Sequence, residues 1–130
     1  VKPLPNPNPP KTFAHPIEDE FAKLLDFYRI PWEHEPTCFP LALNEDGIIT
    51  EAFTPDFYLP SQDLFIELTT RRQAQITEKN RKIRLLREHY PEVNIKLLNR
   101  EDMRSLFTKY GFDARTGTLL GKPRGQDENE

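Results

Sequence analysis

The chain has 130 residues, enough for one domain with one sizeable core. Its single cysteine, Cys38, excludes an internal disulfide framework and any multi-cysteine zinc site, which leaves packing as its expected role. No stretch approaches the roughly 18 apolar residues of a membrane span and the start lacks an apolar signal core, so a soluble, cytoplasmic protein without a membrane partner is expected.

The net charge of −3 speaks against a nucleic-acid partner until its distribution is considered. Residues 71 to 87 hold Arg71, Arg72, Lys79, Arg81, Lys82, Arg84 and Arg87 against Glu78, a local +6, so the remainder carries −9. Local basic surface is what phosphate binding requires whatever the overall sum, although a solvated helix face has the same composition.

In chain order, the prolines between Pro3 and Pro10 mark residues 1–14 as a disordered, proline-rich tail. Residues 15–113 hold the expected folded domain, and 114–130 read as a flexible C-terminal tail. A helix is predicted over 17–28, with Pro16 in its first turn and acids behind it. Ile17, Phe21, Leu24, Leu25 and Tyr28 form one apolar stripe, flanked at about 80° on either side by Glu18 and Glu20. These two acids can reach a site across a sheet edge, or simply solvate the helix boundary.

Trp32-Glu33-His34-Glu35 reads as a short strand before Pro36. Strict alternation puts Glu33 and Glu35 on one face and His34 on the other, so the three are not expected to converge as metal ligands. Phe39 to Leu43 is a second apolar run, Asn44-Glu45-Asp46-Gly47 a turn, and residues 48–53 the next strand.

Thr54 to Thr69 is the centre of the reading. Two β-rich runs, Phe57 to Leu59 and Leu64 to Leu68, flank the turn formers Pro60, Ser61, Gln62 and Asp63, which predicts a hairpin. Asp56 stands before the first run and Glu67 interrupts the second, where a buried carboxylate needs a partner. A shared divalent cation would serve. A strand-start Asp and a strand Glu facing solvent or an arginine would also account for the spacing.

A helix is predicted over 76–90, stopped by Pro91, with Ile76, Ile83, Leu86 and Tyr90 inward. Lys79 falls in the middle of that stripe, where it either snorkels to the edge or points back at Glu67. A strand over 93–98 follows, parallel to the 64–69 strand if the helix is a crossover. Asn99 then caps a last helix with Asp102 three residues on, Met103, Leu106, Phe107 and Tyr110 inward, and Gly111 as its stop. The order predicts an α/β (α+β) fold, a mixed sheet flanked by helices.

A helical acid, Pro55-Asp56, and Glu67-Leu68-Thr69 on the next strand, in an αβββαβ order, resemble the PD-(D/E)xK nuclease superfamily over about residues 15 to 110. Ile17-Glu18-Asp19, Trp32-Glu33-His34-Glu35, Thr54 to Pro60, Phe65-Ile66-Glu67 and His89-Tyr90-Pro91-Glu92 look most like the phage endonuclease-I-type junction resolvases. The resemblance implies a restriction-endonuclease-like fold and an Mg²⁺- or Mn²⁺-dependent endonuclease acting on nucleic acid, with DNA the expected substrate. Asp56, Glu67, the Leu68 carbonyl and Glu18 match the metal ligands. Thr69 departs from the pattern, standing where the family usually has a catalytic lysine, and Lys79 on the next helix is the candidate replacement, with Lys82, Arg72 and Gln73 behind it. Arg71, Arg72, Lys79, Arg81 and Lys82 would hold phosphates, and a homodimer would suit a junction substrate. With Thr69 in that place, a catalytically inactive nuclease-fold module that binds nucleic acid or a protein is the alternative, and a small partner-binding domain with unrelated surface charges is a third.

Overall fold

The computed structural model of the protein describes residues 2–70, 73–109, 112–113 and 118–119. In chain order these form β1 (Leu4–Pro5), α1 (Pro16–Phe27), β2 (Glu33–His34), β3 (Thr37–Leu43), β4 (Ile49–Phe53), β5 (Phe57–Leu59), β6 (Leu64–Leu68), α2 (Gln73–His89), β7 (Ile95–Leu98), α3 (Arg100–Lys109), β8 (Phe112–Asp113) and β9 (Thr118–Leu119). The fold is mixed α+β. A four-stranded sheet has the order β2-β5-β6-β7 and a three-stranded sheet the order β1-β3-β4. β5 and β6 form an antiparallel hairpin whose turn ends on Asp63 at φ 51, a left-handed conformation that aspartate tolerates. β7 lies parallel to β6, because α2 carries the chain back along the sheet before β7 begins.

The apolar run of β6 explains the layering, since all five of its residues are buried. Leu64, Ile66 and Leu68 share a cluster with Ile17, Phe21 and Leu25 of α1 and Met103 and Leu106 of α3. Phe65, on the other strand face, packs with Phe39 and Phe53 of the three-stranded sheet, Ile83 and Leu86 of α2, and Tyr90 just beyond it. Each such side chain contributes roughly 1.5–3 kcal/mol on full burial. Glu67 shares the Phe65 side by strand periodicity, so it is buried near α2.

The sheets differ from expectation in one respect. The sequence predicts 48–54 in one mixed sheet with 56–59, 64–69 and 93–98, yet β4 pairs with β3 in the separate sheet. Pro55 is fully buried and offers no N–H to continue a ladder, and β2 takes the edge of β5, with Glu33 opposite Tyr58 and His34 opposite Phe57.

The proline-rich start also departs from a featureless tail. β1 pairs antiparallel with β3, where Pro5 is tolerated because β1 is an edge strand. Asn6 then donates its N–H to the Pro36 carbonyl at 2.8 Å and its side-chain amide to the Glu35 carbonyl at 2.8 Å.

At α3 the Asn99 side chain accepts the Asp102 N–H at 2.7 Å while the Asp102 carboxylate accepts the Asn99 N–H at 3.1 Å, a reciprocal cap. Tyr110, Gly111 and the Phe107 side chain lie outside the described residues. So does the 114–130 tail apart from Thr118–Leu119, which pairs with Phe112–Asp113. Among the described residues no helix is long and apolar enough to cross a membrane.

Candidate active site

The hairpin sets Asp56 and Glu67 side by side. The Asp56 N–H donates to Glu67 Oε1 at 3.1 Å, and the Leu68 N–H donates to Asp56 Oδ2 at 2.9 Å. Each carboxylate is thus pinned to the backbone beside its neighbour, one oxygen apiece. Burial pushes the Asp56 carboxyl up to about 6, with the Glu18 and Glu35 charges adding to the rise and the Leu68 N–H and Lys79 ammonium opposing it. Burial, then repulsion from Asp56, pushes Glu67 up to about 8 against the pull of Lys79. Both acids hold protons more tightly than free carboxyls do, as a crowded, poorly solvated acidic pair must.

Lys79 projects from α2 into this pair. Its ammonium lies 3.1 Å from Glu67 Oε2 and also donates to the Leu68 carbonyl, and its side chain is 29% exposed. Ile83, Leu86 and Tyr90 on the same helical stripe are buried in the core, so Lys79 faces inward because its stripe does.

Glu18 enters from the first turn of α1 and is 4% exposed. It does not stand alone: His34 Nε2 lies 3.0 Å from Glu18 Oε1 and 3.7 Å from Glu35 Oε2. The ligand-capable atoms of Glu18, His34 and Glu35 all fall within 4.8 Å of one another. This corrects the alternation argument, which kept His34 and Glu35 apart. β2 ends at His34, and Glu35 adopts φ 48, a left-handed turn that brings it round beside His34 and leaves Glu33 exposed. The strain is held by tertiary hydrogen bonds: the Glu35 N–H donates to the Asp56 carbonyl at 2.9 Å, and the Glu35 carbonyl accepts the Asn6 amide. Burial raises the Glu35 carboxyl, with Glu18 adding to the rise and His34 opposing it. Sequence reasoning missed His34 and Glu35. Residues before proline favour extended backbone, so local rules pointed the wrong way at Glu35-Pro36.

All four acids, Glu18, Glu35, Asp56 and Glu67, line one cavity of about 920 Å³ together with Leu68, Lys79 and Lys82. Glu20 does not join them. It pairs with Arg100 at 2.9 Å and Arg104 at 2.8 Å, tying α1 to α3, and the Arg100 hydrogen bond, ahead of the Arg104 contacts, holds its carboxyl below the usual range.

Of the residues expected to hold phosphate, Arg81 is engaged elsewhere: its guanidinium pairs with Glu51 and, at 2.8 Å, with Glu78. Its charge therefore ties α2 to β4. Lys82 lines the cavity and Arg84 is exposed. Arg71, Arg72 and the Gln73 side chain lie outside the described residues. Thr69 is buried, and no hydrogen-bond partner for its hydroxyl is found among the described residues.

The chain matches no family model, no curated protein and no solved structure. What it does must therefore be argued from the chemistry of this cavity.

Proposed function

We propose that the protein is a metal-dependent endonuclease of restriction-endonuclease-like build that hydrolyses phosphodiester bonds in DNA. The observation that carries this reading is the Lys79 ammonium 3.1 Å from Glu67, in a cavity that Asp56 and Glu18 share. An acidic pair on a hairpin, a helical acid from the opposite side and a lysine from the crossover helix supply the donor set of a PD-(D/E)xK site, with the lysine moved from Thr69 to Lys79.

The residues fit a hard divalent cation. Asp56, Glu67, the Leu68 carbonyl and Glu18 are oxygen donors, the class that Mg²⁺ and Mn²⁺ take, and two adjacent carboxyls raised by burial and mutual repulsion gain most from a cation. When bound, the cation supplies Lewis acidity at the scissile phosphate and lowers the pKa of water.

The chain's own groups do the rest. The backbone hydrogen bonds to Asp56 and Glu67 fix the carboxylates, so little reorganisation is needed on binding. Hydrolysis joins a water oxygen to phosphorus, breaks one P–O ester bond and delivers a proton to the leaving oxygen. Lys79 would steady the attacking water and the charge that gathers on the phosphate oxygens. Lys82, on the next turn of α2, holds a neighbouring phosphate, which positions the strand without reading its sequence.

Cleavage of supercoiled and branched DNA in Mg²⁺ and in Mn²⁺ tests the proposal. Wild-type protein nicks or cuts in a metal-dependent manner, and Lys79→Met, checked for folding by circular dichroism, cuts slower by a factor on the order of 10² to 10³. DNA binding without cleavage in either metal would replace the enzyme with an inactive nuclease-fold module.

A further inference from the structure

We propose that Glu18, His34 and Glu35 form a second cation position beside the Asp56–Glu67 pair, one that takes a nitrogen-accepting divalent transition ion, Mn²⁺ above Mg²⁺. The inference rests on the nuclease reading only through Glu18, which both positions share.

The spacing, which includes a hydrogen bond between His34 and Glu18, is compact enough for one ion to gather the three donors. Donors bound at about 2.1–2.2 Å lie about 3 Å apart when adjacent and about 4.3 Å apart when opposite in an octahedron. His34 Nε2 stands 3.0 Å from Glu18 Oε1 and 3.7 Å from Glu35 Oε2, with no pair of ligand atoms beyond 4.8 Å. The three donors come from separate backbone settings, the first turn of α1, the end of β2 and the left-handed residue after it. An extended Glu35 would place its carboxylate on the far face with Glu33.

The imidazole is also fixed from outside the trio. Phe13 meets it edge-on at 4.8 Å between ring centroids and Phe57 lies at 5.4 Å, which limits the directions Nε2 can point. His34 and Glu18 side chains are 9% and 5% exposed. One imidazole cannot balance two carboxylates, of which Glu18 is almost fully buried and Glu35 26% exposed, and a dication closes that deficit. Nitrogen in the donor set sets the preference, because Mg²⁺ favours oxygen donors while Mn²⁺ and later transition ions accept imidazole.

Pulsed electron paramagnetic resonance of Mn²⁺ bound to the full chain reads the position directly, because a coordinated imidazole adds nitrogen coupling to the manganese signal. Wild-type protein shows that coupling, His34→Gln loses it, and His15→Gln, at a histidine that lines the neighbouring cavity, retains it. Asp56→Asn retains it too, with one Mn²⁺ fewer by equilibrium titration. Should His34→Gln misfold, the wild-type spectrum and that of Glu35→Gln still decide. A wild-type signal without nitrogen coupling, or coupling that survives His34→Gln, overturns the inference. Coupling without DNA cleavage would leave this position standing and remove the nuclease reading, whereas cleavage without coupling would do the reverse.

Discussion

Asp56→Asn should stabilise the metal-free protein while abolishing cleavage. The asparagine retains an oxygen for the Leu68 N–H, and the Asp56 N–H still reaches Glu67, so the local hydrogen bonds survive. Only a charge is lost. Burial, with the repulsion of Glu18 and Glu35 behind it, raises the Asp56 carboxyl from 3.8 to about 6, which at about 1.4 kcal/mol per pH unit makes the ionised group cost about 3 kcal/mol of stability. A raised carboxyl binds its proton more tightly in the folded state than in the unfolded one. The Asp56 contribution to stability is therefore full below about pH 4 and is lost as pH rises from about 4 to about 6, a loss that the variant escapes. The variant should melt with wild type at pH 4 and about 10 °C above it at pH 8, at about 3–5 °C per kcal/mol for a domain of this size. Thermal melts in chelator at unit steps between those limits measure it. A variant that melts at or below wild type at pH 8, or an offset that ignores pH, would refute the electrostatic account of this pair.

Divalent ions act on the same term from the other side: Mn²⁺ at a hundredfold excess over its Kd should stabilise wild type by about 2.7 kcal/mol, and calorimetry should find this gain reduced in Asp56→Asn. Lys82→Met should weaken DNA binding across all sequences and flatten its salt dependence by roughly one phosphate contact, while Arg81→Met should leave that slope alone because Glu51 and Glu78 already hold its charge; fluorescence anisotropy across a salt series distinguishes the two. Asn6→Ala removes the hydrogen bond to the Glu35 carbonyl and should cost about 1 kcal/mol in urea melts, together with weaker Mn²⁺ binding; unchanged metal affinity would mean that Asn6 does not hold Glu35 in place.

How far the sequence foretold these features depends on where each one's cause lies. The β5–β6 hairpin, the inward stripe of α2 and the capped start of α3 are set by neighbours within a few positions, so periodicity and turn chemistry reveal them. Lys79 belongs to this group: its oddity on an apolar stripe was visible because the stripe was. The partition into two sheets was not, because a strand's partner is chosen by long-range packing, and Pro55 marks a break in a ladder without saying where either side goes.

Glu35 is the sharpest case. A non-glycine residue at φ 48 ahead of a proline is disfavoured by every local preference, and it is held by the Asp56 carbonyl, 21 positions downstream, and the Asn6 amide, 29 positions upstream. Local rules describe what a backbone does when nothing distant compels it. Strain maintained by such contacts persists where the side chain it redirects has work to do, and here it turns a carboxylate from the Glu33 side into a cavity already lined by Glu18, Asp56 and Glu67. Relaxing Glu35 to an extended backbone would relieve like-charge crowding in the free protein. On the proposed cation position, the contacts that prevent this preorganise the cluster, and a bound ion turns the same crowding into binding energy.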